Sequence, residues 1–366
     1  MTSTTPPKPI LLLGAYGRGN AGDDVFILSA AALFQDRILY INSADDSLLP
    51  AQVKDHIKTI STVSAWDLFK KIKLFLSIKE VVYWGGDLWV KLYGTRTPRR
   101  LLYKMVLTNA LLRASGKQVH YIGCGIGDLH GYSRWLARLS ARMAKTVVVR
   151  EQRSSQVLNL GKLQVLPDLA INLPYHQTVL HTMPSSQPFS IVISVLWSVP
   201  DPAYNFPKLI EHIARLVDEL PAKDFKITLL PMHIPGEMHD DLWASKQLAQ
   251  QIKKRTVDIY IARDLPAIID CLAKSNLVIG GRLHANILAA LNATPCIGIS
   301  YRPKVRSFFA DNKLDEYCLG LDEIARLPEI FHTIYENYAA VSETFYQVSE
   351  RNLSKRAAYA ALIRGL

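Results

Sequence analysis

The residues best suited to chemistry lie in one stretch, Asn276-Leu277-Val278-Ile279-Gly280-Gly281-Arg282-Leu283-His284-Ala285-Asn286, which runs on into the apolar segment Ile287 to Leu291. A strand-like run meets a glycine pair, and an arginine and a histidine then open an apolar helical pattern. A helix N-terminus offers free N–H groups and the positive end of its dipole, so it attracts phosphate. Arg282 adds a permanent cation, and His284 adds an imidazole able to carry or release a proton. A lone histidine on an apolar helix is more often a core residue, but the Gly-Gly-Arg setting at a strand end favours a site. The next strand-like run, Cys296 to Ile299, leads into Ser300-Tyr301-Arg302-Pro303-Lys304, which brings further basic groups to a strand end.

Four other strand ends carry polar residues. The first apolar run is followed by Gly14-Ala15-Tyr16-Gly17-Arg18-Gly19-Asn20-Ala21-Gly22-Asp23-Asp24. Glycines let the backbone turn tightly and approach a ligand, and Asn20 or Asp23 can cap the helix that follows. The spacing is neither GxGxxG nor a P-loop. Two adjacent acids at a helix start repel phosphate but suit sugar hydroxyls, and either could accept a proton from one. Elsewhere Trp84-Gly85-Gly86-Asp87, Gly123-Cys124-Gly125-Ile126-Gly127 and Arg150-Glu151-Gln152-Arg153-Ser154 end apolar runs. The fork of Arg150 matches a carboxylate or a phosphate, and its plain alternative is an ion pair with Glu151. Asp168 lies in Leu166-Pro167-Asp168-Leu169-Ala170 and either lines a site or caps a turn.

The elements that must position these residues follow from periodicity. Pro9 to Leu13, Ile38 to Ile41, Val81 to Trp84, Val119 to Ile122 and Thr146 to Val149 are short apolar runs separated by helical patterns such as Val25 to Phe34. Runs apolar on both faces, alternating with helices, predict a parallel sheet covered on both sides. The composition shifts at Tyr175 to Pro188, rich in His, Ser, Thr and Pro, and the alternation then restarts. Phe189 to Val195, Lys226 to Leu230, Val257 to Ile261, Asn276 to Ile279 and Cys296 to Ile299 predict a second sheet, with helices at Lys208 to Leu220 and Leu242 to Lys254. We therefore expect two Rossmann-like, doubly wound α/β domains facing a cleft: residues 1–175, a linker 176–188, residues 189–345, and a helical tail 346–366. In such sheets the ligand sits beyond the carboxyl ends of the strands.

Bulk properties limit the function classes. The chain has 366 residues, of which 49% are apolar and 20% charged, so it can bury a large core and is not predominantly disordered. Lys plus Arg number 43 against 32 Asp plus Glu, a formal charge of +11 that favours anionic partners. Cys124, Cys271, Cys296 and Cys318 form no CxxC pair, and each sits in an apolar run, which points to free thiols in a reducing compartment and to no zinc site. The apolar run after the polar start is too short for a signal peptide, and no stretch reaches the length of a membrane span. A cytoplasmic protein is expected, with room for peripheral contact at the inner face of a membrane. Trp66 to Lys79 has the pattern of a basic amphipathic helix, which more often packs against the core with a solvated back but could make such contact with anionic lipid. The basic stretches Lys70 to Lys79 and Arg96 to Lys104 come with no nucleic-acid-binding motif, so no nucleic-acid partner is expected.

Taken in order, the Gly14 to Asp24 opening, the Trp-Gly-Gly-Asp turn, the Gly-Cys-Gly-Ile-Gly turn, Arg150 to Ser154, and Gly280 to Lys304 resemble the polysaccharide pyruvyl transferase family, and the bacterial cell-wall pyruvyl transferases within it. The likeness runs to about Phe309, with little in Tyr175 to Asp270 or in the tail. It implies a GT-B-like pair of Rossmann domains. It also implies transfer of a pyruvyl group from phosphoenolpyruvate to two hydroxyls of one sugar, giving a cyclic ketal and phosphate. On that likeness Arg150, Arg282, Leu283 and Lys304 handle the donor together with His284. Gly17, Asn20 and Asp87 are placed with the substrate contacts. Two small departures, Asp23-Asp24 for a more usual Asp-Glu and Gly281 for another small residue, remove no charge.

The chemistry agrees. Phosphoenolpyruvate carries a phosphate and a carboxylate, which Arg150, Arg282 and Lys304 can balance. The methylene carbon must gain a proton, for which His284 is the natural acid, and a sugar hydroxyl must lose one, for which Asp23 or Asp24 is the base. No metal and no cofactor is expected, since phosphoenolpyruvate is a co-substrate. The acceptor is a glycan, with a lipid-linked saccharide favoured. Two competitors remain: a GT-B glycosyltransferase that uses a nucleotide sugar, and a non-catalytic protein of glycan assembly.

Overall fold

A computed structural model describes residues 9–43, 57–59, 72–88, 99–197, 205–234 and 240–366. The chain divides into two compact units: residues 1–18, 23–173 and 355–366 form the first, and residues 19–22 and 174–354 the second. The divide falls at Leu173/Pro174 rather than within 176–188. The expected single tail is split, because the Tyr338–Leu353 helix belongs to the second unit and the Arg356–Arg364 helix to the first. Of the segment Trp66 to Lys79, residues 66–71 lie outside the described residues, as do residues 96–98 of the Arg96 to Lys104 stretch, so neither stretch is described whole.

The first unit contains β1 (Ile10–Tyr16), β2 (Leu39–Ser43), β3 (Ile57–Thr59), β4 (Glu80–Trp84), β5 (Asp87–Leu88), β6 (Gln118–Ile126), β7 (Thr146–Val149) and β8 (Leu163–Val165). Their order is β3-β2-β1-β4-β6-β7-β8, with β5 paired to β6, and every pairing is parallel. The second unit contains β9 (Phe189–Ser194), β10 (Phe225–Leu229), β11 (Asp258–Ile259), β12 (Leu277–Gly280), β13 (Cys296–Ser300) and β14 (Cys318–Gly320), in the order β11-β10-β9-β12-β13-β14 and again wholly parallel. Both are doubly wound sheets. Each reverses its winding once, between β1 and β4 in the first unit and between β9 and β12 in the second. The crevice at that reversal, beyond the carboxyl ends, is where such sheets bind ligands.

The central strands are buried on both faces, as continuous apolar runs require. All five residues of β4 and all four of β12 are buried. In the first unit Leu11, Val81, Tyr83, Val119, Tyr121 and Val147 belong to one core cluster. The tyrosines bring polar tips inside, and Asn109 satisfies them: its Nδ2 donates to Tyr121 Oη at 2.6 Å, and Tyr83 Oη donates to its Oδ1 at 3.2 Å. Trp84, fully buried, donates from Nε1 to the Phe26 carbonyl at 2.8 Å, and Gly85 at φ +66° lies where a Cβ would press into the Phe26 ring. The glycine pair after β4 is therefore a close-packing device at its first member. The Arg356–Arg364 helix ties back to the loop after β8: Arg356 donates to the Ile171 and Leu173 carbonyls and Tyr359 Oη to the Pro167 carbonyl at 2.7 Å.

Candidate functional site

In the second unit the winding reverses between β9 and β12, and the motif with the most chemistry sits there. β12 ends at Gly280, and Gly281 donates its N–H to the carbonyl of Ser194, the last residue of β9, at 2.7 Å. A Cβ on Gly281 would lie 3.0 Å from that carbonyl, so the strand ends come together only around a glycine. Arg282 is the N-cap of the Leu283–Leu291 helix. Asn286 then folds its amide back, with Nδ2 donating to the carbonyls of Gly280 at 2.8 Å and Arg282 at 3.0 Å. That bond fixes the helix start against the strand end. Leu283 is buried, and His284 is half-buried.

A carboxylate that no sequence motif flags aims the Arg282 side chain. Its Nε and Nη2 donate to the two oxygens of Asp241, at 2.9 and 2.6 Å, the fork-to-fork geometry that holds a guanidinium in one plane. The Asp241 side chain is fully buried and also accepts the Met232 N–H at 3.3 Å. Arg282 Nη2 lies 3.4 Å from His233 Nδ1. Asp241 and His233 follow β10, the strand next to β9. The only sign of them in the sequence is an Asp-Asp pair at a helix start and a histidine just beyond a strand.

The short segment 19–22, part of the glycine-rich opening, belongs to this unit. Ala21 donates its N–H to the Met232 carbonyl at 2.9 Å, Ile234 donates to the Gly19 carbonyl at 2.8 Å, and Asn20 bridges to His233. Asn20 Oδ1 accepts the Gly22 N–H at 3.2 Å. A Cβ at Gly22 would run into the His284 imidazole. The structure thus gathers Asn20, Gly22, His233, Asp241, Arg282 and His284. Lys304 lies half-buried at the start of the Pro303–Asp311 helix after β13, the strand beside β12, and Arg302 is that helix's N-cap, with its guanidinium 5.5 Å from the Tyr301 ring centre.

In the first unit the other motifs converge on Arg150, just after β7. Nη1 donates to Asp168 Oδ2 at 2.9 Å, and Nη2 pairs with Asp87 Oδ1. Gly125 leaves the room, since a Cβ there would meet the Asp87 carboxylate at 2.6 Å and the Arg150 guanidinium at 3.0 Å. Burial works against the Arg150 charge, yet Asp87, Asp168 and Glu151 together leave it more firmly protonated than an ordinary arginine. Glu151 accepts the Ser154 hydroxyl at 2.7 Å, and Ser154 in turn accepts the Ile126 N–H at 2.8 Å. Burial raises the Glu151 carboxyl, and Arg150 only partly restores it. Burial also pushes the neighbouring Cys124 thiol up to about 12 despite Arg150, so that cysteine is inert.

The two acids of the opening differ. Asp24 is buried, and its Oδ1 accepts the Gly17 N–H at 2.6 Å, closing the turn in which Gly17 takes φ +64°. Asp23 is half-buried at the start of the Ala21–Leu33 helix. Among the described residues no group of three or more His, Cys, Asp or Glu is arranged to hold a metal ion. No helix among them is long and apolar enough to cross a membrane.

Solved structures share this fold. HepE of Anabaena in complex with UDP-glucose is 12% identical, with 98% of this chain and 99% of that chain covered at a TM-score of 0.62. MurG of Acinetobacter baumannii is 14% identical over 98% and 100% at 0.59. MnaA of S. aureus with UDP is 14% identical over 97% and 98% at 0.58. At such identities the likeness establishes the fold, a GT-B-type pairing of two parallel-sheet units, and nothing finer. No curated protein sequence matches the chain. Residues 20–303, which take in every motif above from Asn20 to Arg302, match the family model for polysaccharide pyruvyl transferases. The chain belongs to the polysaccharide pyruvyl transferase family.

Proposed function

We propose that this transferase uses phosphoenolpyruvate as donor and builds a cyclic ketal on two hydroxyls of one sugar in a glycan, with a lipid-linked saccharide as the acceptor. The observation that carries this reading is the constellation at the β9/β12 reversal: a helix N-terminus, an arginine aimed by a buried carboxylate, and a histidine packed against Gly22. Arg282, the helix N-terminus and Lys304 supply the positive field that a phosphate and a carboxylate need. Protonation of the donor's methylene carbon by His284 makes the central carbon electrophilic. One sugar hydroxyl adds there and gives up its proton, for which Asp23, the less buried of the two acids, is the base. Loss of phosphate restores an electrophilic carbon, and the second hydroxyl closes the ring. Of the two hydroxyl protons released, one replaces the proton passed to carbon and one leaves with phosphate.

The test is phosphate release on incubation with phosphoenolpyruvate and a panel of free and lipid-linked glycans. Release that requires both a donor and an acceptor supports the reading. Release of UDP from a UDP-sugar, with none of phosphate from phosphoenolpyruvate, would assign glycosyl transfer instead.

A further inference from the structure

Two helices of the first unit, Arg99–Ala114 and Gly131–Arg142, pack against each other and together contain no Asp or Glu. A helix on the surface of a globular protein ordinarily turns charges of both signs to water. Here the outer face shows Tyr103, Leu107, Tyr132 and Trp135, each between 46% and 50% exposed. They adjoin: the Tyr103 and Tyr132 hydroxyls are 2.8 Å apart, and the Tyr132 and Trp135 rings stack with centroids at 5.4 Å. The spacings 103/107 and 132/135 put each pair on one side of its helix.

Cations frame this apolar patch. Arg100 and Lys104 are exposed beside Tyr103, and Arg142 is exposed at the far end of the second helix. Arg134 and Arg138 are fixed nearby, with Nε donating to the Val157 and Leu158 carbonyls, each at 2.7 Å, at the carboxyl end of the Gln152–Leu158 helix. Burial and the repulsion of Arg134 and Arg142 both lower the hold of Arg138 on its proton, a sign of how little negative charge is near.

We propose that this face docks on an anionic lipid bilayer, with the aromatic rings at headgroup depth and the arginines and lysines on lipid phosphates. Tyr and Trp favour that depth because one end of each is apolar and the other polar, and basic side chains gain from the negative surface potential. Charge argues against a second copy as occupant, because a two-fold contact would set like charges against each other. Stacking of Tyr132 on Trp135 leaves those rings turned to each other rather than splayed to receive bases. The inference does not depend on the donor proposed above.

The full-length protein should co-sediment with vesicles of equal parts phosphatidylglycerol and phosphatidylcholine, not with phosphatidylcholine alone, and added salt should release it. Arg100→Gln with Lys104→Gln should weaken binding by about tenfold or more and flatten its salt dependence. Tyr132→Ala with Trp135→Ala should weaken it by about tenfold while leaving a salt-sensitive remainder. All four side chains are exposed, so the melting temperature should be kept; the charge pair, outside the Tyr103, Tyr132 and Trp135 ring contacts, serves if the aromatic pair unfolds. No binding to phosphatidylglycerol vesicles, or binding equal in every variant, overturns the proposal. Self-association or single-stranded RNA binding lost in the same variants, with no vesicle binding, would reassign the face.

Discussion

Arg150 and Arg282 each follow the end of a buried parallel strand and each grips carboxylate, yet the two surroundings differ in charge. Arg150 exposes 4% of its side chain and is held by Asp87 and Asp168, with Glu151, itself 3.8 Å from Arg153, beside it, so acids outnumber cations around it. Arg282 exposes 18% and pairs with Asp241. That pair is neutral, and positive groups stand at the strand ends on this side: the N-terminus of the Leu283–Leu291 helix, and Arg302 and Lys304 after β13. The acid-rich cluster suits a network that keeps a loop in place and presents Asp87, 21% exposed, to a polar ligand. The basic one suits a phosphorylated anion. On this reading Arg150, which its fork geometry and the family likeness would both set on the donor, acts through Asp87.

The comparison breaks first on stability. Arg150→Met should leave buried carboxylates without a counter-charge and cost about 3–5 kcal/mol, seen as a large fall in melting temperature or failure to fold. Arg282→Met strands one buried carboxylate, Asp241, rather than a cluster, so it should lose less stability than Arg150→Met, and it should lose donor affinity as well, by about 10–10²-fold for a charged hydrogen-bond contact. Asp241→Asn, which keeps the shape but not the charge that aims Arg282, should lie between the parent and Arg282→Met in donor affinity. Equal stability losses at Arg150 and Arg282 with no split in donor binding would erase the distinction.

The next test sharpens the basic side. His284→Ala should lower kcat by about 10²–10⁴-fold if the imidazole gives the proton, with donor affinity less affected than in Arg282→Met. Gly22→Ala should act in the same sense through a side chain pressed into the imidazole, without touching the donor itself. Loss of affinity with near-normal turnover in His284→Ala would make the histidine one more anion contact. On the acidic side, Asp23→Asn should lower kcat with little effect on melting. Asp24→Asn should loosen the Gly17 turn and lower the melting temperature, and the reverse order would exchange their roles.

Much of this was legible in the sequence because the central strands are long and apolar on both faces. Thr146 to Val149 forms a strand with the bounds its pattern predicts, and Phe189, Cys296 and their runs fall within a residue or two. Edge strands such as Ile57–Thr59, Leu163–Val165 and Cys318–Gly320 were not, since three residues cannot show a period. The motifs at strand ends mark where polar residues gather but not with whom. Arg150 followed by Glu151 suggests an ion pair between neighbours, whereas the guanidinium reaches Asp87 and Asp168, brought in from two other strand ends. Asp241 shows only as one of an acid pair at a helix start, and Gly22 only as one of several glycines in the opening, whose missing Cβ matters once His284 is packed on it.

The smallest expected effect separates the cluster's own acids. Burial, the largest influence, raises the Glu151 carboxyl above its ordinary range, while Arg150 and the Ser154 hydroxyl draw it back only in part. A group whose protonation is favoured by folding contributes its stability fully below its unfolded pKa and loses it as pH rises through the folded value. The ionised Glu151 is thus a modest burden on the neutral side, carried because the Ser154 hydroxyl needs an acceptor and Arg150 gains a nearby counter-charge. Glu151→Gln keeps an oxygen for Ser154 and removes the burial of charge. It should leave the melting temperature unchanged at acid pH, where the parent is protonated, and raise it slightly near neutrality. A fall at neutral pH would show instead that the third negative charge is needed to hold Arg150, and that Asp87 and Asp168 do not suffice alone.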